Sequence, residues 1–207
     1  MKITIGIDPG SEVSGLALFH GKKIIEGRNV PNKDVVGVVL EWRRIISMRA
    51  EPCTVVIEDI VAYGGRVRTQ TLQTCKWMGE LCYRLGLQPD VKQVLVARST
   101  VKAWIFDACP DIVLPRLVKV MEATHKRSLK VGKKGLKRAD GTMRKPSFQF
   151  ITDNIIEVAL KSLLNIPVPK PGKPQIYGLK THSWQACGVA AHFLFALKKK
   201  KYKPITP

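Results

Sequence analysis

Residues 2–19 read KITIGIDPGSEVSGLALF, and they decide the fold. The first seven are a short apolar run rich in β-branched side chains, closed by Pro9-Gly10, as a strand ending in a turn should be. Residues 15–19 form a second such run and residues 23–28 a third, with His20-Gly21 at the joint. Three runs so close together predict an antiparallel meander. Residues 34–48 then carry Val35, Val38, Val39, Trp42 and Ile46 at helical spacing, which predicts an amphipathic helix. Residues 53–60 (CTVVIEDI) are almost continuously apolar, as a strand covered on both faces must be. A helix over 69–85 closed by Gly86, a strand over 93–97, and a helix from an N-cap at Ser99 through Asp107 complete the first half. The order predicts an α/β fold: a mixed five-stranded sheet, antiparallel at the start and parallel afterwards, flanked by helices.

The chain has 207 residues, enough for one domain with a real core. Its 35 Lys and Arg against 16 Asp and Glu leave a net charge of +19, with a pI near 10.0. That excess favours a polyanionic partner, nucleic acid first, although a ribosomal-type protein or a membrane-surface binder would share it. The five cysteines are odd in number, and no pair has CxxC spacing. With no secretory signal ahead of them, neither a zinc knuckle nor a disulfide framework is expected, and a reducing compartment is. The apolar run at 189–197 is interrupted by His192 and is too short to cross a bilayer. A soluble, cytoplasmic protein without membrane contact is the expectation.

The middle differs in character. Residues 126–145 (KRSLKVGKKGLKRADGTMRK) have few large apolar side chains and cannot build a core, which predicts a loop. A solubilising loop and a phosphate-binding arm both fit this composition; Lys126, Arg127, Lys133, Lys134, Lys137 and Arg138 make the arm the better reading. Helical spacing returns at 148–164. Residues 167–174 (PVPKPGKP) form a stiff connector. A mostly apolar helix over 181–197 begins at Thr181 as N-cap, and residues 198–207 are a basic tail. We therefore expect a single domain over 1–197 with a basic insertion at about 110–178.

Two acids stand out. Asp8 ends the first strand and Glu58 lies late in the buried one. A strand this apolar does not hold an unpaired carboxylate cheaply. If the two strands are neighbours, the carboxylates lie side by side and repel. A divalent cation between them removes that penalty, and oxygen ligands suit Mg2+ or Mn2+. Such a site polarises a phosphoryl oxygen and activates water. Taken singly, Asp8 also reads as a turn residue and Glu58 as a strand-end charge. Asp59, next in line, should face the other side of the sheet. His192 reads as a core or surface histidine, and Asp153 as a first-turn acid.

The segments IGIDPGSEVSGLALF, VVIEDI, TQTLQTCKWMGELCYRLG and VARSTVKAWIF together resemble the RuvC-type Holliday junction resolvases of the ribonuclease H-like superfamily, in a phage-type form. The resemblance covers residues 1–106 and the last helix. It implies a ribonuclease H-like nuclease that hydrolyses phosphodiesters in branched DNA with Mg2+ or Mn2+, as in recombination and repair, in the cytoplasm of a bacterium or of a phage-infected host. It also implies a homodimer, formed around the helix that carries Gly79, with paired active sites. The family's last two acids fall on His182 and Gln185 of THSWQACGVAAHF, which share a helix face. Histidine occurs at the first place in some resolvases; glutamine at the second departs from the pattern and is a weak ligand for a hard dication. The implied catalytic set is thus Asp8, Glu58, His182 and Gln185, the first three as metal ligands, with His182 also available as a general base. The loop with Tyr63, Arg66 and Arg68 resembles the family's junction-entering wedge, and Lys76 follows as a phosphate contact. The rival is a non-catalytic branched-DNA-binding protein on a degenerate nuclease fold. DPGSEVSG also resembles the first phosphate loop of actin-like sugar kinases, but no second phosphate motif or adenosine motif accompanies it, so no nucleotide cofactor is expected.

Overall fold

The computed structural model describes residues 2–46, 53–60, 68–130, 136, 142–167 and 176–196. The opening stretch forms β1 (Ile3–Asp8), β2 (Val13–His20) and β3 (Lys23–Pro31), an antiparallel meander in which Asp8 stands opposite Gly15. A short 3₁₀ stretch (Asn32–Asp34) leads into α1 (Val35–Ile46). β4 (Cys53–Asp59) lies parallel to β1, and β5 (Val91–Ala97) lies parallel to β4. The sheet order is β3-β2-β1-β4-β5, the mixed five-stranded arrangement expected. α2 (Thr69–Gly86) and α3 (Arg98–Ala108) flank β5 in sequence. Ser99 is not the N-cap: α3 begins at Arg98 directly after β5, so Ser99 lies inside its first turn. That shift of one residue puts Arg98 at the strand end, beside the tip of β4.

Alternation along the strands makes two cores. Ile3, Ile5, Ile7, Val55 and Ile57 face Trp42 of α1 and Trp77, Leu81 and Leu85 of α2. Val56, Val94 and Val96 face the other way, into a core shared with α3 and three later helices. These are α4 (Pro110–Lys130), α5 (Asp153–Leu163) and α6 (Thr181–Ala196). By the same parity, Thr4, Gly6 and Asp8 of β1 and Glu58 of β4 point to the α6 side. Asp59 has the opposite parity, and its charge acts on Cys82 of α2, in line with the strand alternation.

α6 is buried without a break from Ser183 to His192. Two glycines let it approach the sheet. A Cβ on Gly6 would stand 2.0 Å from the Ala186 carbonyl oxygen, and one on Gly15 would stand 2.2 Å from the His182 carbonyl carbon. His192 is a core residue, edge-on to Trp104 with ring centroids 5.6 Å apart.

The middle of the chain is more structured than its composition suggests. α4 buries Val113, Leu117 and Met121 at four-residue intervals and continues to Lys130. Lys126 and Arg127 therefore ride on its last turns as exposed side chains and do not belong to a loop. α5 buries Ile155, Ile156, Ala159 and Leu160 against the same core. Among the described residues, no helix is long and apolar enough to cross a membrane.

Candidate active site

Asp8 and Glu58 end adjacent parallel strands. Their last paired positions are Ile7 and Ile57, so the two acids follow one step further along the same ladder. Each residue is only 5% exposed. Burial, and then repulsion from Asp8, push the Glu58 carboxyl up to about 7, against the pull of Arg98. The expected juxtaposition of the two carboxylates is therefore present, with its electrostatic consequence.

Arg98 answers part of that charge. Its Nη1 donates to Glu58 Oε1 at 3.1 Å and its Nη2 to Asp153 Oδ1 at 2.5 Å. Burial works against the guanidinium charge, yet Glu58, Asp153 and Asp8 outweigh it and hold the proton more firmly than usual. Neither Arg98 nor Asp153 stands out in the sequence. Asp153 reads there as a first-turn acid, and so it is, but it also faces the two strand acids across the cleft.

His182, in the first turn of α6, places Nδ1 2.9 Å from Asp8 Oδ2. A carboxylate can only accept, so the ring donates from Nδ1; in the neutral imidazole the lone pair is then on Nε2. That hydrogen bond raises the His182 pKa, burial opposes it, and the charges of Asp8 and Asp153 add to the rise. Asn29 of β3 fixes the start of the helix. Its Oδ1 accepts the Ser183 N–H at 3.0 Å and its Nδ2 donates to Thr181 Oγ1 at 2.7 Å. Thr181 is not the N-cap expected: it is the first residue inside α6, the side-chain acceptor at the Ser183 N–H is Asn29 of β3, and the Thr181 hydroxyl is itself held by Asn29.

Gln185 follows one turn on, 4% exposed, and its Nε2 has no hydrogen-bond partner among the described residues. Asp8, Glu58, His182 and Gln185 all line one cleft of about 1180 Å³, together with Arg98, Lys102, Asp153 and Glu157. Burial and the neighbouring Arg98 hold the Lys102 amine below its ordinary pKa.

The donor set suits a hard dication in kind, with buried carboxylate oxygens in excess over the neighbouring guanidinium. Its arrangement is another matter. Among the described residues, no three His, Cys, Asp or Glu side chains stand together as a metal cage; a guanidinium lies against Glu58 instead.

The structure of Thermus thermophilus RuvC in complex with a Holliday junction substrate matches this chain with a TM-score of 0.54 and 16% identity, over 99% of this chain and 100% of that one. The chain has the RuvC fold. A second Thermus thermophilus RuvC structure matches with a TM-score of 0.46 and 16% identity, over 98% and 99% of the two chains. YeaZ from Pseudomonas aeruginosa matches about half of the chain, 51%, with 48% of its own length, at 14% identity and a TM-score of 0.31. No family model and no curated protein matches the sequence.

On this RuvC fold the remaining expected residues divide into two groups. Arg68, just before α2, and Lys76, within it, are on the outer surface, as are Lys126 and Arg127. Among the described residues the cleft takes Gln70, Thr71 and Thr74 from α2, but neither Arg68 nor Lys76. Tyr63, Arg66, Lys133, Lys134, Lys137 and Arg138 lie outside the described residues, as do the loop 61–67 and the tail 197–207. Gly79 meets nothing within 4 Å where its Cβ would be, and Leu72 and Tyr83 on the same helix are 59% and 69% exposed.

Proposed function

We propose that this chain is a metal-dependent endonuclease that hydrolyses phosphodiesters in branched DNA, four-way junctions first. The observation that carries the reading is the pairing of buried Asp8 and Glu58 at the ends of adjacent strands, with His182 bonded to Asp8. Two buried acids that repel each other, on a chain of charge +19, need a cation and suit a polyanionic substrate.

Asp8 and Glu58 would hold Mg2+ or Mn2+, with His182 beside them. Such an ion, when bound, polarises the phosphoryl oxygen and lowers the pKa of water. The residues themselves do the rest. Asp8 orients the His182 ring through Nδ1, leaving Nε2 to take a proton from the attacking water. That water attacks phosphorus in line with the leaving 3′ oxygen. The P–O3′ bond breaks, a 5′-phosphate remains, and the 3′ oxygen gains a proton. Lys102, poised by burial, lies where a phosphate oxygen would be neutralised.

Arg68 and Lys76 on one side of the fold, and Lys126 and Arg127 on another, serve as phosphate contacts that read backbone shape and not base sequence. The wedge residues Tyr63 and Arg66 and the arm residues Lys133, Lys134, Lys137 and Arg138 complete that reading. The open face of α2 around Gly79, with Leu72 and Tyr83 exposed, fits a two-fold dimer that presents two clefts to a junction of matching symmetry.

A second reading, a branched-DNA-binding protein without catalysis, is favoured by one observation: Gln185 is an amide where an acid would serve a cation. One experiment separates the two. Wild-type protein and Asp8→Asn are incubated with a synthetic four-way junction and Mg2+ or Mn2+. The nuclease reading expects paired nicks from the wild type and a loss of about 100-fold or more in rate from the variant. Binding without cleavage by both proteins would establish the second reading instead.

A further inference from the structure

The start of α6 is held from two sides of one rung of the sheet. Asp8 of β1 stands opposite Gly15 of β2, and Gly15 stands opposite Asn29 of β3. Residues paired in this way share a face, so Asp8 and Asn29 both point to α6 with a glycine between them. The helix start rests in that gap. A Cβ on Gly15 would stand 2.2 Å from the His182 carbonyl carbon and 2.6 Å from the Ser183 nitrogen. From there His182 reaches back to Asp8, while Thr181 and Ser183 meet Asn29.

The backbone at this point is strained. Thr181 has a φ of 25°, a left-handed value that a β-branched residue adopts only under constraint. Asn29 Nδ2 donates to the Thr181 hydroxyl at 2.7 Å, across 152 positions of sequence. Asn29 Oδ1 shares the Ser183 N–H with the Lys180 carbonyl, at 3.0 Å and 2.7 Å. The buried Ser183 hydroxyl also accepts the Lys180 N–H at 2.6 Å and donates to its carbonyl at 2.7 Å. Ser183 is thus held locally as well, so the constraint that Asn29 adds falls on Thr181.

His182 lies between those two residues. Its bond to Asp8 depends on where the backbone aims its side chain, and that direction changes if Thr181 relaxes to an ordinary φ. Asn29 is itself exposed on an edge strand and fills no part of either core. A polar side chain that gives both of its ends to a strained helix start bears on the site more than on the packing of the fold.

Resting on the nuclease reading above, we infer that Asn29 is a positioning residue for His182. By holding Thr181 in its left-handed conformation, Asn29 delivers the imidazole to Asp8 with Nδ1 foremost, which leaves Nε2 for the attacking water.

The test reads the His182 ring and the cutting rate side by side, on the full chain. NMR of the imidazole nitrogens at alkaline pH, without DNA, should place the His182 proton on Nδ1, the signal being assigned by its loss in His182→Ala. Asn29→Ala should turn that ring into a mixture of tautomers. It should also cut junction bound at saturation about tenfold more slowly, with junction affinity and unfolding temperature close to wild type. Asn29→Asp should recover both readouts, because the Thr181 hydroxyl can donate to the carboxylate. Thr181→Val breaks the same bond from the helix side and should repeat the loss, whereas Thr181→Ser should not, so the test does not hang on the folding of one variant. An Asn29→Ala protein that keeps either the wild-type tautomer or the wild-type rate overturns the positioning role and leaves the nuclease reading standing. If the wild type does not cut the junction, the nuclease reading fails, and the ring tautomer alone then decides whether Asn29 sets His182.

Discussion

Asp8 and Glu58 stand on neighbouring strands with side chains 7% and 6% exposed, whereas Asp153 stands at a helix start with its side chain 69% exposed. Backbone hydrogen bonds fix the first pair to within a strand register. A single guanidinium holds the third. The strand acids can be pre-organised at a cost in repulsion, which the sheet absorbs. The helix acid has room to respond to whatever enters. A cleft built from both kinds of wall combines a fixed position with an adjustable one, and each wall can be perturbed separately.

The largest effect is expected on the rigid wall. Gly6 lies under α6, and a Cβ there would stand 2.0 Å from the Ala186 carbonyl oxygen, which is backbone and cannot turn aside. Gly6→Val should destabilise the fold by at least about 3 kcal/mol, read by urea denaturation. Asp153→Asn, on the adjustable wall, should cost under about 1 kcal/mol in the same assay. Similar losses from both would erase the distinction.

The next effect is on pH dependence. Glu58 is raised from 4.5 to about 7 in the folded protein. Between those values the folded state holds a proton that the unfolded chain has released, so metal-free stability falls as pH rises through that window and levels off above it. The loss amounts to roughly 3 kcal/mol, at about 1.4 kcal/mol per pK unit. His182 is raised as well, so its contribution is present at low pH and also fades on the way up. Denaturation in chelator at pH 5 and pH 8 should show this fall, and Glu58→Gln should remove most of it. A wild-type stability that rises over the same interval would mean that Glu58 is paired well enough to stay ionised.

Legibility in the sequence follows the same division. Strand acids are legible because alternation assigns each side chain a face, so parity alone places Asp8, Glu58 and the opposed Asp59. Helix spacing gives the faces of α1, α2 and α6. Arg98 is hidden by a boundary: Ser99 has the chemistry of a cap, which leaves Arg98 as a linker residue, whereas the helix starts one residue earlier. Asp153 is hidden by distance, since nothing near residue 153 shows that it meets residues 58 and 98. α4 is hidden because its buried residues Val113, Leu117 and Met121 are only three in twenty-one, with Pro115 among them. Lys126 and Lys130 then resemble loop residues because the segment beyond them is so basic.

The smallest effect concerns where DNA lies relative to the two walls. Arg68 and Lys76 belong to the α2 side, and Lys126 and Arg127 to the far end of α4. If both groups touch phosphates of one duplex arm, removing either pair should lower the log–log salt slope of binding by about 0.9 for each phosphate no longer neutralised. Paired alanine substitutions at 68 and 76, and separately at 126 and 127, measured by junction binding across a salt series, distinguish the routes. A change in slope confined to the first pair would run the DNA over α2 and the strand acids. A change confined to the second would run it along α4, past the start of α5 and the Asp153 wall. Neither pair belongs to the cleft lining, so cleavage of junction already bound at saturation should keep its wild-type rate. A fall in that rate would show that these cations also set the position of the scissile phosphate over Asp8 and Glu58.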